Sequence, residues 1–321
     1  MPSQSPSWLD AMSASVASHD ASRLYRFDDG VEAVLPAVWR GGPVRPLAQL
    51  ASMPAAWGFG GLVSSARIGP EHVRAVLDDL ARSGFAQVHV RPNPIHADVW
   101  KDAAPPDAIR LPGLAHVLDL RPGYDELHRG FANDVRRLAG RARRSGVTIR
   151  RGHELCDVKT LMQLLRVSVR RWAARDGEPL VLAQARLRVR DPERKLSRIV
   201  TALAPRAEIF SAWRAEQPIA AALVLFGRNA HYVRGATDVE AGNVGASQFL
   251  QTEAIAAACA AGCLRYHLGE SAAGSGLARF KGRFGAEAVP YVRYRFERAP
   301  LTALDQKLRR TVRSILGVHG G

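Results

Sequence analysis

The sequence lacks several features that would have assigned it at once. No run approaches the ~18 consecutive apolar residues of a membrane-spanning helix. The longest apolar runs, Pro218–Phe226 and Ala254–Cys263, suit a buried strand and a buried helix. The opening residues, MPSQSPSWLD, lack the charged-then-apolar order of a signal peptide, so the expected location is the cytoplasm. Cysteine is scarce: Cys156, Cys259 and Cys263. The last two stand four apart, but no second Cys or His pair completes a metal site, and buried reduced thiols are the expectation. His89, His96 and Asp98 share one loop without regular ligand spacing. There is no P-loop and no G-x-S-x-G elbow. Lysine is also rare, accounting for five of the 45 basic residues.

What is present is arginine, and in excess. The formal net charge of +15 favours a polyanionic partner: RNA, a nucleotide-linked substrate, or an anionic membrane surface touched peripherally. Charge alone does not choose among these. At 321 residues, 47% of them hydrophobic and including six Trp and ten Phe, the chain can bury two domain cores.

Residues 1–113 read as one α/β unit. A short helix is expected over Trp8–Ser18, and strands Arg23–Phe27 and Val31–Trp39 flank the turn signal Asp28-Asp29-Gly30. A Pro/Gly-rich loop carrying Trp57, Phe59, Gly60 and Gly61 follows; long loops of this composition are often functional, with a plain connector as the alternative. Pro70 opens a helix with Val73, Val76, Leu77 and Leu80 on one face, and Ala86–Val90 is a strand.

From Leu114 the pattern restarts with a short strand, His116–Leu120. Tyr124–Ser145 reads as one helix with an apolar stripe of Leu127, Phe131, Val135, Leu138 and Ala142. Arg137, Arg141 and Arg144 share another face of it, either a phosphate-backbone footprint or a solvated surface. Helices follow at Asp157–Arg175 and, opened by Asp191-Pro192 as N-cap and N1, to Leu203. Glu208–Arg214, Ile219–Phe226 and Ala230–Gly235 form an antiparallel meander. The small-residue loop AGNVGAS then feeds a helix that is apolar on all sides, from Phe249 to Ala261. Backbone N–H groups at such a helix start can bind anions. Leu264–Leu268 is a strand, FKGRFG a compact turn with Lys281 and Arg283 between aromatics, and Ala288–Phe296 a last strand.

In order along residues 114–296, the segments LDLRPGYDEL, RRLAGRARRSGVTIR, RRWAARDGEPL, QPIAAALVLFGRNAHYVRGA, NVGASQFLQTEAIAAACAAGCLRYHLGES and GLARFKGRFGAEAVPYVRY resemble the GNAT acyltransferases, most closely their FemAB-like branch. The turn built from Phe280, Lys281, Phe284, Gly285 and Glu287 is the most specific of these. Residues 1–113 resemble the family's degenerate first half through YRFDDGVEAVLPAVWR and WGFGG, and 301–321 its closing helix. The resemblance implies an α/β (α+β) fold of two tandem GNAT-like domains, 1–113 and 114–300, each a mixed, mostly antiparallel sheet flanked by helices. It also implies metal-free transfer of an acyl or aminoacyl group to an amine, with the donor in a gap between Ala230–Gly235 and Leu264–Leu268.

Under that resemblance Lys281 is the first catalytic candidate, with Glu270 or Tyr232 to relay the amine's proton. Asn243, Gly245, Ala246, Ser247, Arg234, Ser271, Phe280 and Arg283 would bind the donor. Trp57, Gly60, Gly61 and either Arg171 or Arg175 would face the acceptor, a small-molecule or cell-wall-precursor amine. For each side chain a structural hydrogen bond or salt bridge is the competing role. The CoA-binding pattern [QR]-x-x-G-x-[GA] is replaced by DVEAGNVGAS, with Gly242 and Gly245 three apart. This departure and the arginine-rich 129–144 helix favour aminoacyl-tRNA as co-substrate over acyl-CoA, with no bound cofactor. A catalytically silent RNA- or anion-binding protein on the same fold is the alternative of another class. Oligomeric state is not legible.

Overall fold

Why the run Pro218–Phe226 is apolar at every position becomes clear in the computed structural model, which describes residues 1–14, 18–54, 58–241 and 244–298. The strand is covered on both faces, so alternation has no solvent side to mark. Ala221, Leu223 and Leu225 enter one core, while Ala220, Ala222 and Val224 enter another across the sheet.

In chain order the strands are β1 (Ser18–Asp20), β2 (Arg23–Arg26), β3 (Glu32–Leu35), β4 (Val38–Gly41), β5 (Ala48–Ser52), β6 (Gln87–Val90), β7 (Ile109–Asp119), β8 (Val147–Gly152), β9 (Ala207–Arg214), β10 (Gln217–Leu225), β11 (Ala230–Thr237), β12 (Arg265–Glu270) and β13 (Glu287–Glu297). The helices are α1 (Pro6–Ser13), α2 (Pro70–Ala81), α3 (Ala97–Lys101), α4 (Tyr124–Gly130), α5 (Asn133–Arg144), α6 (Leu155–Arg175), α7 (Leu180–Arg190), α8 (Glu193–Leu203), α9 (Ala246–Ala260) and α10 (Gly276–Gly282). Eleven strands form one sheet in the order β1-β4-β5-β6-β13-β7-β12-β11-β10-β9-β8, and β2 and β3 make a separate hairpin. Only the β5–β6 and β11–β12 pairs are parallel. The expected mixed, mostly antiparallel α/β architecture is present.

The two halves share that sheet. The boundary expected at residues 113 and 114 falls inside the eleven-residue β7, and β13 pairs with β7 along Glu287–Arg295 and with β6 along Tyr294–Glu297. The halves are therefore stitched by continuous backbone pairing. α1 reinforces the join: Ser5 caps it by accepting from the Trp8 N–H at 3.3 Å, and Trp8, Leu9 and Met12 pack into the core formed by α6 and α8. The helix expected to close the chain, 301–321, lies outside the described residues.

Several local expectations change: the helix expected over Trp8–Ser18 is Pro6–Ser13, and the strand expected over Val31–Trp39 is divided between β3 and β4, which pair in different sheets. The single helix 124–145 is two, α4 and α5, because Phe131 and Ala132 are extended. Phe131 turns inward onto Phe284, with ring centroids 5.3 Å apart, and the Ala132 N–H donates to the Arg283 carbonyl at 2.9 Å. α7 carries no clear sequence signal, since its apolar residues lie on two faces. Finally, α8 begins at Glu193 with Pro192 at the cap; Asp191 stays outside it and its carboxylate is used elsewhere.

Each half has one parallel strand pair. In the first half β5 and β6 are matched along four consecutive positions, Gln49↔Gln87 to Ser52↔Val90, and the pair is closed. In the second, β11 and β12 are matched only at Ala230↔Tyr266 and His231↔His267. Beyond those positions the strands part. The parted strands therefore lie in the second half, and Gly58, Phe59 and Arg91 of the first half reach the cleft they open.

Candidate active site

The parted strands open a cavity of about 1100 Å3. Its walls are β11 from His231 onward, the end of β12, the start of α9, α6, α7 and the turn of α10. Tyr232, Arg234, Gly245, Ala246, Ser247, Glu270, Phe280, Lys281, Arg171 and Arg175, all picked out from the sequence, line it.

Lys281 is 2% exposed, and its Nζ donates to the Glu270 carbonyl at 2.7 Å. Desolvation in this site pushes its pKa down to about 7, so ammonium and amine are both populated near neutrality. Helical geometry explains why its neighbour fails to join it. Positions two apart on a helix point about 200° away from one another, and Arg283 leaves on the other side to pair with Asp134 of α5 at 2.7 Å. Arg283 is thus placed outside the cavity, contrary to expectation.

Glu270 lines the cavity, but both of its carboxylate oxygens are occupied. Arg91 pairs with one and the Tyr291 hydroxyl donates to the other, while Arg91 Nε donates to the same hydroxyl at 3.3 Å. Gly113 lies beneath: a Cβ there would come 2.6 Å from the Tyr291 ring. A carboxylate so held is a clamp between the halves and is poorly placed to relay a proton. Tyr232 is deeply desolvated, which pushes its pKa up to about 12 and keeps the phenol a hydrogen-bond donor at neutral pH. Its hydroxyl occupies the space a side chain on Gly235 would fill.

Arg234 forks onto Asp191, with Nε to Oδ2 at 3.1 Å and Nη2 to Oδ1 at 3.0 Å, and so shapes the wall while held in an internal ion pair. Arg171 reaches in and donates to the Thr237 carbonyl at 3.3 Å; Arg175 is paired with Asp176 at 2.7 Å. Of the two, Arg171 is the one tied to β11. Ser247 bonds Thr237 through their hydroxyls at 2.8 Å, joining the start of α9 to the parted end of β11.

Ser271 does not line the cavity; its N–H donates to the Leu114 carbonyl at 3.1 Å. Gly60 and Gly61 stand behind the wall, Gly60 N–H donating to the Arg91 carbonyl at 2.7 Å and Gly61 N–H to Ser52 Oγ at 2.9 Å. They hold the loop that puts Gly58 and Phe59 at the cavity. Phe59 stacks near His267 at 4.7 Å and His231 at 5.6 Å, and burial pushes the pKa of His231 down to about 3. Trp57 and Asn243 lie outside the described residues. Arg91, Tyr291, His231 and Asp191 were missed. Arg91 had one usable signal, a charged residue at the carboxyl end of a parallel strand, where ligand sites gather.

Gly245 has φ +85°, and a Cβ there would overlap the Leu138 carbonyl of α5. Replacing it by alanine should cost about 1–3 kcal/mol and displace the first amides of α9. We expect a lower Tm and a raised KM for the donor with kcat less affected, measured by thermal melts and steady-state kinetics.

Parted strands, a helix N-terminus and a basic group at the gap are arranged as the resemblance to GNAT acyltransferases implies. Residues 129–282 match the family model for the acetyltransferase (GNAT) domain. That match lies in the second half and covers 154 of the 321 residues, and the fold of the whole chain is similar to that of FemX. FemX superposes with a TM-score of 0.66 at 16% identity, covering 94% of each chain. The structure of L-PGS from Bacillus licheniformis gives 0.53 at 13% identity, covering 94% of this chain and 95% of that one. The C-terminal domain of a putative lysylphosphatidylglycerol synthetase from Agrobacterium fabrum gives 0.52 at 15%, covering 89% and 88%. At these identities the likeness is one of fold. No curated protein sequence matches. Among the described residues, no helix is long and apolar enough to cross a membrane and no cluster of His, Cys, Asp or Glu is arranged to hold a metal ion.

Proposed function

We propose that the chain transfers an aminoacyl group from aminoacyl-tRNA to the amine of a small-molecule or cell-wall-precursor acceptor. The observation that carries the reading is the parting of β11 from β12 after two matched pairs, with the Lys281 side chain in the wall of the gap. The amine nitrogen attacks the ester carbonyl carbon, the C–N bond forms, and the C–O bond to the tRNA ribose breaks. The Lys281 ammonium stabilises the oxyanion and gives a proton to the leaving hydroxyl oxygen, and the proton lost by the attacking amine returns to the Lys281 amine. Tyr232 donates to the donor carbonyl as a neutral phenol. By position, the amides of Ala246, Ser247 and Gln248 have no carbonyl four residues back within α9, so they suit the donor's phosphate. Arg171 suits a carboxylate or phosphate of the acceptor.

Charge supports tRNA over acyl-CoA. Arg137, Arg141 and Arg144 are exposed on α5 and form no ion pair among the described residues, whereas a CoA donor needs far fewer cations. The test is to titrate purified protein with aminoacyl-tRNA and, separately, with acetyl-CoA, following Tm and transfer to a labelled amine. Aminoacyl-tRNA should raise Tm by the binding linkage, with an affinity that falls steeply with salt. A shift by acetyl-CoA alone would make the donor a thioester, and the C–S bond the one that breaks.

A further inference from the structure

Four of the fourteen large apolar side chains left exposed among the described residues lie on one element. Leu180, Val181, Leu182 and Val189 all belong to the eleven-residue α7, where Val181 is 75% and Val189 79% exposed. Positions 181, 185 and 189, with 182 beside them, share the outward face of the helix. Ala183, Arg186, Leu187 and Arg190 share the inward face and line the cavity. A surface helix of a globular domain turns polar residues to water; α7 is apolar on both sides. Its polar residues are Gln184, Arg186, Arg188 and Arg190, with no acid. Its outward face, an apolar ridge of Val181, Leu182, Ala185 and Val189 with Arg188 among them, suits contact with a lipid interface. Two further residues of the cavity wall, Val239 and Leu277, are 53% and 50% exposed.

We infer that α7 docks the chain on an anionic lipid bilayer, so that the cavity opens at the lipid–water interface, where an amine-bearing acceptor would be presented. The presentation step rests on the acyl-transfer reading; the docking does not. Charge selects the occupant. Residues 301–321 carry Lys307, Arg309, Arg310 and Arg313 against Asp305 alone, and a second copy carries the same +15, so both would meet α7 with like charge. Arg186 and Arg190 are paired with Glu178 and Asp191, so an anionic surface attracts Arg188 and the chain's net positive charge and accepts the apolar ridge.

The full chain should co-sediment with vesicles of phosphatidylcholine and phosphatidylglycerol in equal parts, and not with phosphatidylcholine alone. The variant V181S/L182S/V189S changes only exposed positions and should keep its Tm while binding at least about tenfold more weakly. Arg188→Glu should weaken binding to the anionic vesicles, as should added salt. A triple variant that sediments like the wild type overturns the inference. So does a wild-type chain that ignores the vesicles, or one that self-associates through α7 in size-exclusion chromatography. Transfer to a water-soluble amine is read in parallel. Vesicle binding without transfer to any amine would sink the acyl-transfer reading and leave the docking standing; transfer without vesicle binding would do the reverse.

Discussion

Replacing Lys281 by methionine should lower kcat by about 10²–10³-fold with a small change in donor KM. Methionine preserves most of the buried stem and removes the charge, so the loss reads the ammonium and not the packing. The wild-type rate should carry an alkaline limb. Lys281 has a folded value of about 7, and the form that stabilises an oxyanion disappears as pH rises through it. A polyanionic donor moves that limb upward. Stability moves the other way: between about 7 and the ordinary lysine value of 10.5, the unfolded chain binds a proton that the folded chain does not. Wild-type Tm should therefore rise with pH over that window relative to K281M, because the less protonated state is favoured as protons become scarce. A variant retaining wild-type kcat would remove Lys281 from the mechanism, and a K281M melt that tracks the wild type from pH 7 to 10 would mean that burial does not lower its pKa.

How much of this was legible in the sequence depends on what kind of signal each residue leaves. The meander, the apolar α9 and the Phe280–Gly285 turn were readable because periodicity and glycine placement are local. So was the parting of β11 from β12, through resemblance. The first half was readable as degenerate, and the physical content of that word is the closed β5–β6 pair, four matched positions against two. What escaped was long-range. Arg91 and Tyr291 are 200 residues apart and meet at Glu270, 21 residues before Tyr291, and no spacing rule links them. Asp191 reads as a helix cap because Asp-Pro usually is one. α7 hid for a related reason: its apolar residues serve two faces, so the single-stripe pattern that marks a surface helix is missing.

The second large effect is expected at Asp191, which takes no part in the chemistry. It is fully buried, and its oxygens hold Arg234 of β11 and Arg190 of α7, the latter at 2.8 Å. Burial by itself would raise its pKa, but the two guanidinium groups outweigh that and hold it below the ordinary carboxylate value of 3.8. Asp191→Asn removes the negative charge that two interior guanidinium groups share, a loss of about 3–5 kcal/mol, or roughly 6–10 °C in Tm for a chain of this size. The sign with pH follows from the depressed value. The pair's contribution is complete above 3.8 and is lost as pH falls through the folded pKa, so wild-type and D191N melts should converge in acid. The double variant D191L/R234M separates stability from function. An apolar pair of similar volume should recover much of the Tm. If Arg234 also touches the donor, activity should stay low in the recovered protein. A D191N melt within about 1 °C of wild type would mean that α7 and α8 hold the cavity wall by packing alone.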